Sequence, residues 1–210
     1  RFQSVDRAAA KKNVVARWSI KGPYLLYVAR IEHPGKNHVR LLEAYARLRA
    51  RGLEHKLIFA GSPWSGADVV EATARELGVS EDVVFTGFVP NETLGDLYAA
   101  ADVFVFPSLF EGFGIPLLEA MMAGVPVCAS DRASIPEVVG DAGLLFDPDD
   151  SFSIETCISR LVSDDALRRR WLGDLLWPAR LSRPCAPATR ATSRCIARRF
   201  RTKNDRRDAC

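Results

Sequence analysis

The stretch SLFEGFGIPLLEA, residues 108–120, sets Glu111 and Glu119 eight positions apart around a glycine turn. Gly112 and Gly114 allow a ligand to approach the backbone closely, and Pro116 suits the first helical position, where its missing N–H costs nothing. The free amides of a helix start, with the dipole behind them, can bind an anion. One turn into such a helix, Glu119 can accept two hydroxyl hydrogen bonds at once, as a sugar ring offers them. Charge-assisted bonds of this sort contribute roughly 1.5–3 kcal/mol each. A structural reading stands beside this one. Ser108-x-x-Glu111 fits a capping box, and an acid in a first helical turn is favourable with no ligand present.

A second constellation lies upstream. Arg30 and Lys36 flank IEHPG, whose proline and glycine force a turn. They read either as solvated loop charges or as a fixed cationic grip on an anion. Asn37 reads as the cap of the next helix, His33 as a loop residue, and Ser134-Ile135-Pro136-Glu137 as a helix start with a capping box. Trp64, in GSPWSG, reads as a ligand contact or as an exposed loop aromatic. Phe104, Phe106, Met121 and Met122 read as core. The three histidines and five cysteines form no metal-ligand spacing and no C-x-x-C pair, and DPDD at 147–150 reads as a loop, so no metal is expected. Reduced thiols, as in a cytosolic protein, are the plain reading.

These residues need a scaffold. Short apolar runs recur at 24–29, 56–61, 83–89, 102–107, 125–130 and 143–147, most of them without polar alternation, as in strands buried on both faces. Helical patterns lie between them: 38–50, with Val39, Leu42, Tyr45 and Leu48 on one stripe; 67–77; 92–101 after an Asn91 cap; 116–123; and a final long helix at 153–171. This alternation predicts an α/β fold, a Rossmann-like parallel sheet of about six strands with helices on both faces. Ligands in such sheets bind beyond the carboxyl ends of the strands, so the loops at 30–37, 61–66, 87–91, 107–115 and 130–135 matter most.

The chain has 210 residues, 48% apolar and 26% charged, ordinary globular values, with no apolar run of membrane-spanning length. It opens Arg-Phe-Gln without a signal segment, and is expected to be a fragment or a trimmed product. Residues 1–22 look like a linker remnant, 23–172 like one folded domain, and 173–210 like a disordered or aberrant tail. Charge is uneven: residues 168–210 hold 13 Lys+Arg and 3 Asp+Glu, leaving 16 basic and 23 acidic residues elsewhere. Such a tail buries too little to offset roughly 1–2 kcal/mol of backbone entropy per ordered residue. Its charge permits nucleic-acid or membrane-surface binding. It shows neither regular aromatic interleaving nor an amphipathic helix, so nucleic acid is not expected and membrane association is unsupported.

The segments PSLFEGFGIPLLEAMMAGVPVCASDRASIPEVVGDAGLLFDPDD, GFVPNETLGDLYAAADVFVFPS, KLIFAGS and YLLYVARIEHPGKNH resemble the donor-binding, C-terminal half of the retaining GT-B glycosyltransferases of family 4, the glycosyl transferases group 1 class. The likeness covers roughly residues 24–165. It implies that Glu119 holds the ribose hydroxyls of a nucleotide-diphosphate sugar and that Glu111 lies near the donor sugar. The backbone at Gly112, Phe113, Gly114 and Ile115 would contact donor sugar and phosphate. Arg30 and Lys36 would grip the diphosphate, stabilising the charge it gains as the glycosidic bond breaks. Val89 and Pro90 fall where the base-binding loop runs, and Gly61 at the neighbouring strand end. On this resemblance Glu111, Arg30 and Lys36 are the catalytic candidates, with no metal and no cofactor besides the donor substrate.

The resemblance also implies an acceptor-binding half, to which nothing in these residues corresponds; the expected place is cytoplasmic, with attachment to the inner face of the membrane left open. Two functions follow. One is a transferase moving a sugar, with retention, from a nucleotide-diphosphate donor to an unknown acceptor. The other is a non-catalytic nucleotide-sugar-binding fragment.

Overall fold

The computed structural model describes residues 5–164, 166 and 167, so the expectations for 173–210 fall outside the described residues. All six apolar runs form strands: β1 Tyr24–Val28, β2 Lys56–Ala60, β3 Val83–Gly87, β4 Val103–Phe106, β5 Val127–Ser130 and β6 Leu144–Phe146. They build one sheet in the order β3-β2-β1-β4-β5-β6, and every strand pair is parallel.

That order explains the layers. The chain runs from β1 outward to β3, then crosses back to β4 and runs outward to β6. Right-handed crossovers place α2 (His38–Ala50) and α3 (Ala67–Glu76) on one face, and α4 (Asn91–Ala100), α5 (Ile115–Met122) and α6 (Ile135–Val139) on the other. α7 (Ser151–Ser163) returns to pack on α2, and α1 (Arg7–Trp18) packs on α4. The sheet is thus covered on both sides, and its central strands are apolar throughout. Leu25, Leu26, Leu57, Ile58, Phe59, Phe104 and Val105 are fully buried.

Several local expectations differ from the structure. The stretch read as a connector is helical from Arg7 to Trp18. Asp6 caps it by accepting from the Ala8 amide, and it buries only Ala10 and Val14. Arg7 anchors it, donating to Ala101 O at 2.9 Å and Asp102 Oδ1 at 2.7 Å. Asn91 is the first residue of α4 rather than its cap; Pro90 holds the cap position with no side-chain bond. α7 starts earlier than expected because Asp150 accepts from the Phe152 amide, and it runs to Ser163; residues 168–171 of the expected helix lie outside the described residues. After Ser163, Asp164 turns the chain and its carboxylate accepts from the Leu167 amide at 2.8 Å. Phe104 and Phe106 are core, but Met121 and Met122 are only half-buried.

Candidate active site

The sheet changes winding direction between β1 and β4, which leaves a crevice beyond their carboxyl ends. The turn after β1 carries Arg30 and Lys36. The turn after β4 carries Glu111 and the glycines. The two turns meet directly: Lys36 Nζ donates to Glu111 Oε1 at 2.7 Å, with the two side chains 18% and 17% exposed.

The backbones beneath are tied as well. The Leu109 amide donates to Gly35 O at 3.1 Å. Tyr27, buried in β1, donates its hydroxyl to Lys36 O at 2.9 Å and shares a 2.8 Å hydrogen bond with Ser108 Oγ. A phenol has one proton, so Ser108 is the donor in that second bond. Ser108 is therefore not a helix cap. Asn37 holds the N-cap position of α2, but with its left-handed backbone (φ 59°) its side chain makes no capping bond. Its buried amide instead donates to Pro107 O at 3.1 Å and Pro148 O at 2.8 Å. Ser134 likewise stands at the N-cap of α6, where a helix start was expected, without a side-chain cap bond; its hydroxyl donates to Glu111 O at 2.9 Å. Three polar residues read from the sequence as helix caps hold the rim of the crevice together.

α5 begins after Gly114, which takes a left-handed conformation (φ 75°) that favours glycine, and no side chain caps its first turn. Gly112 is exposed, and a Cβ there would meet nothing within 4 Å. Phe113 is half-buried and Ile115 is 49% exposed. Glu119 lies one turn into α5 and accepts a hydrogen bond from the Tyr98 hydroxyl at 3.0 Å.

Arg30 stands on the same turn as Lys36 but has other partners: Glu32 at 3.1 Å and the face of Trp64, 5.0 Å from the ring centroid. Trp64 is 59% exposed and reaches Arg30 because the loops after β1 and β2 run together. Ile31 N donates to Ser62 O, Trp64 N to Ile31 O and His33 N to Ser65 O. Gly61 permits this closeness; a Cβ on it would lie 1.9 Å from Ala29 O. Val89 is buried and Pro90 caps α4, both just beyond the edge strand β3, and Gly87 bridges to Gly61. The structure thus joins Lys36 to Glu111 and lines up Arg30, Gly61, Val89 and Pro90 along the same end of the sheet.

His38, at the start of α2, is fully buried against Tyr27 and Phe59, with ring centroids 4.8 Å away in each case. Burial pushes its pKa down to about 4, so the ring is neutral, and Nδ1 lies 3.2 Å from Glu32 O. Burial also drives the hydroxyls of Tyr27 and Tyr98 well above the usual phenol range, which keeps both as donors. Among the described residues no group of three His, Cys, Asp or Glu could hold a metal, and no helix is long and apolar enough to cross a membrane. Tyr27, Tyr98 and the rim-tying roles of Ser108, Asn37 and Ser134 were not legible in the sequence, because their partners are distant in it.

Comparison with known proteins agrees with this fold. O-antigen chain mannosyltransferase B of Escherichia coli is 45% identical over 147 residues, which is 69% of this chain but 38% of that protein. The C-terminal domain of the Francisella tularensis glycosyl transferase group 1 protein LpcC superposes with a TM-score of 0.68 at 24% identity, covering 82% of this chain and 92% of that one. Anabaena HepE, solved with UDP and glucose, superposes at 0.75 with 20% identity, covering 97% of this chain and 54% of that one. At these identities the two structures speak for the fold alone, that of the C-terminal half of a GT-B enzyme. The family described as glycosyl transferases group 1 matches residues 10–172, and the chain belongs to that family.

Proposed function

We propose that this chain is the nucleotide-sugar-binding half of a glycosyltransferase that moves a hexosyl group, mannose as first candidate, from a nucleotide-diphosphate donor to an acceptor with retention. The observation that carries the reading is the meeting of Lys36 and Glu111 across the crevice between β1 and β4. A cation and a carboxylate there suit the two ends of such a donor, an anionic diphosphate and a ring of hydroxyls. The mannose candidate rests on the Escherichia coli relative, named as a mannosyltransferase.

In this reading the anomeric carbon–oxygen bond to phosphate breaks, and Lys36, Arg30 and the amides at the start of α5 take up the charge that develops on the departing diphosphate. The acceptor oxygen bonds to the anomeric carbon, and its proton passes to the departing phosphate oxygen. Glu111 holds the donor sugar and Glu119 the ribose. Gly112, Phe113, Gly114 and Ile115 offer backbone to sugar and phosphate, and Val89, Pro90 and Gly61 border the base. The domain runs over residues 23–172, and the acceptor is contributed from outside it.

Thermal melting with UDP-, GDP- and ADP-sugars, GDP-mannose among them, tests the reading. One donor is expected to raise the midpoint, and Lys36→Ala and Glu119→Ala are expected to abolish the rise. No shift with any donor would overturn it. Transfer or hydrolysis of the sugar, measured on the same protein, separates an enzyme from a binding fragment.

A further inference from the structure

Tyr98 lies within α4, yet its hydroxyl points out of the core. The ring is fully buried in α4 and packs against Phe104 with centroids 5.5 Å apart. Its hydroxyl reaches the neighbouring helix and donates to Glu119 Oε2 at 3.0 Å. Tyr98 precedes Glu119 by 21 residues, and β4 runs between them, so the bond is a tertiary one between two crossover helices.

We infer that Tyr98 is a positioning residue for Glu119, fixing the carboxylate in the orientation that clasps the two vicinal hydroxyls of a ribose; this rests on the reading of Glu119 given above. A glutamate side chain has three rotatable bonds and on a helix surface samples several rotamers. A buried donor locks one oxygen and so aims the other, and the donor is permanent because burial and the adjacent carboxylate both oppose ionisation of the phenol. An oriented carboxylate accepts both hydroxyls without first losing rotamer freedom, which is preorganisation for the ligand. Phenylalanine at 98 would keep the ring and remove the hydroxyl that does the orienting.

The test is calorimetric titration of the full chain with UDP, GDP and ADP and with the 2′,3′-dideoxy form of whichever binds. Wild type is expected to prefer the ribo form, and Glu119→Ala to lose that preference. Tyr98→Phe is expected to weaken the ribo form by roughly 10-fold, the order of one hydrogen bond to a charged group, and to leave dideoxy affinity unchanged. A ribo preference within 2-fold of wild type in Tyr98→Phe overturns the inference while leaving the role of Glu119 intact. Equal weakening of both forms also overturns it, because that marks a packing role. Absence of ribo preference in wild type, or its survival in Glu119→Ala, overturns the reading of Glu119 and this inference with it. A measurement on wild type stands apart from any folding defect. The Tyr98 hydroxyl proton, observed by NMR, is expected to shift on adding the ribo form and not the dideoxy form; no difference between the two overturns the proposal.

Discussion

Replacing Lys36 by methionine and Glu111 by glutamine, singly and together, measures how firmly the two turns are joined. Their charges are 2.7 Å apart and each side chain is about four-fifths covered, with 18% and 17% exposed. Coulomb attraction at that distance is about 1.5 kcal/mol in water and about 6 kcal/mol at an effective dielectric constant near 20. Desolvation offsets much of it. Exposed pairs retain roughly 0.2–1 kcal/mol, and breaking a fully buried pair costs roughly 3–5 kcal/mol. A pair covered to this degree is therefore expected to couple by about 1.5–3 kcal/mol. Each single variant should lose about that much stability, and the double variant little more than either, since the second change removes a group already without its partner. Urea unfolding of the four proteins gives the coupling directly. In thermal melts each kcal/mol corresponds to roughly 2–4 °C for a domain of this size. Because the pair is covered, 0.5 M salt should reduce the coupling only slightly. A coupling below about 0.5 kcal/mol, or one abolished by salt, would show that the charges are solvated and that the turns do not close on each other as described.

Three further outcomes are expected. Gly61→Ala should destabilise by more than about 3 kcal/mol in urea, because its Cβ would fall 1.9 Å from Ala29 O; an unchanged midpoint would refute the close approach of the two strand ends. Glu155, 4% exposed, joins Arg47 at 2.6 Å and Arg51 at 2.5 Å. Glu155→Ala should cost roughly 3–5 kcal/mol, and Arg51→Ala, at a 70% exposed side chain, under about 1 kcal/mol; equal losses would contradict this partition. His38 binds its proton less readily folded, at about 4, than unfolded, at 6.5, so the unfolded state takes up more protons between those values and stability falls as pH drops through that window. Lys36 and His33 add to the effect by repelling a charge on the ring. Relative to His38→Phe, wild type should lose up to about 3 kcal/mol between pH 6.5 and 4; parallel stability profiles would refute the burial of a neutral ring.

Much of the architecture was written in local pattern. Each unbroken apolar run became a strand within two residues of its expected ends, because strands covered on both faces have no polar side to show. α1 escaped because a helix burying only Ala10 and Val14 has almost no apolar stripe. The Asp6 cap followed by Ala8, Ala9 and Ala10 was the signal available for it. Asn37 and Ser134 do stand at helix N-caps, but the side-chain capping bonds expected of Ser108, Asn37 and Ser134 are absent for one shared reason. A short polar side chain bonds whichever group is better placed, and here those groups are the Tyr27 hydroxyl on β1 and backbone carbonyls of other turns of the crevice.

The sequence alone determined the strand and helix alternation, the glycine turn before α5 and the residue types able to meet a diphosphate and a sugar, since these depend on periodicity and on backbone preferences a few residues long. Only the tertiary structure decided that Lys36 meets Glu111 and that Tyr98 meets Glu119. Those meetings depend on strand order: parallel pairing of β1 with β4 brings together turns 75 residues apart, and no local preference encodes that distance.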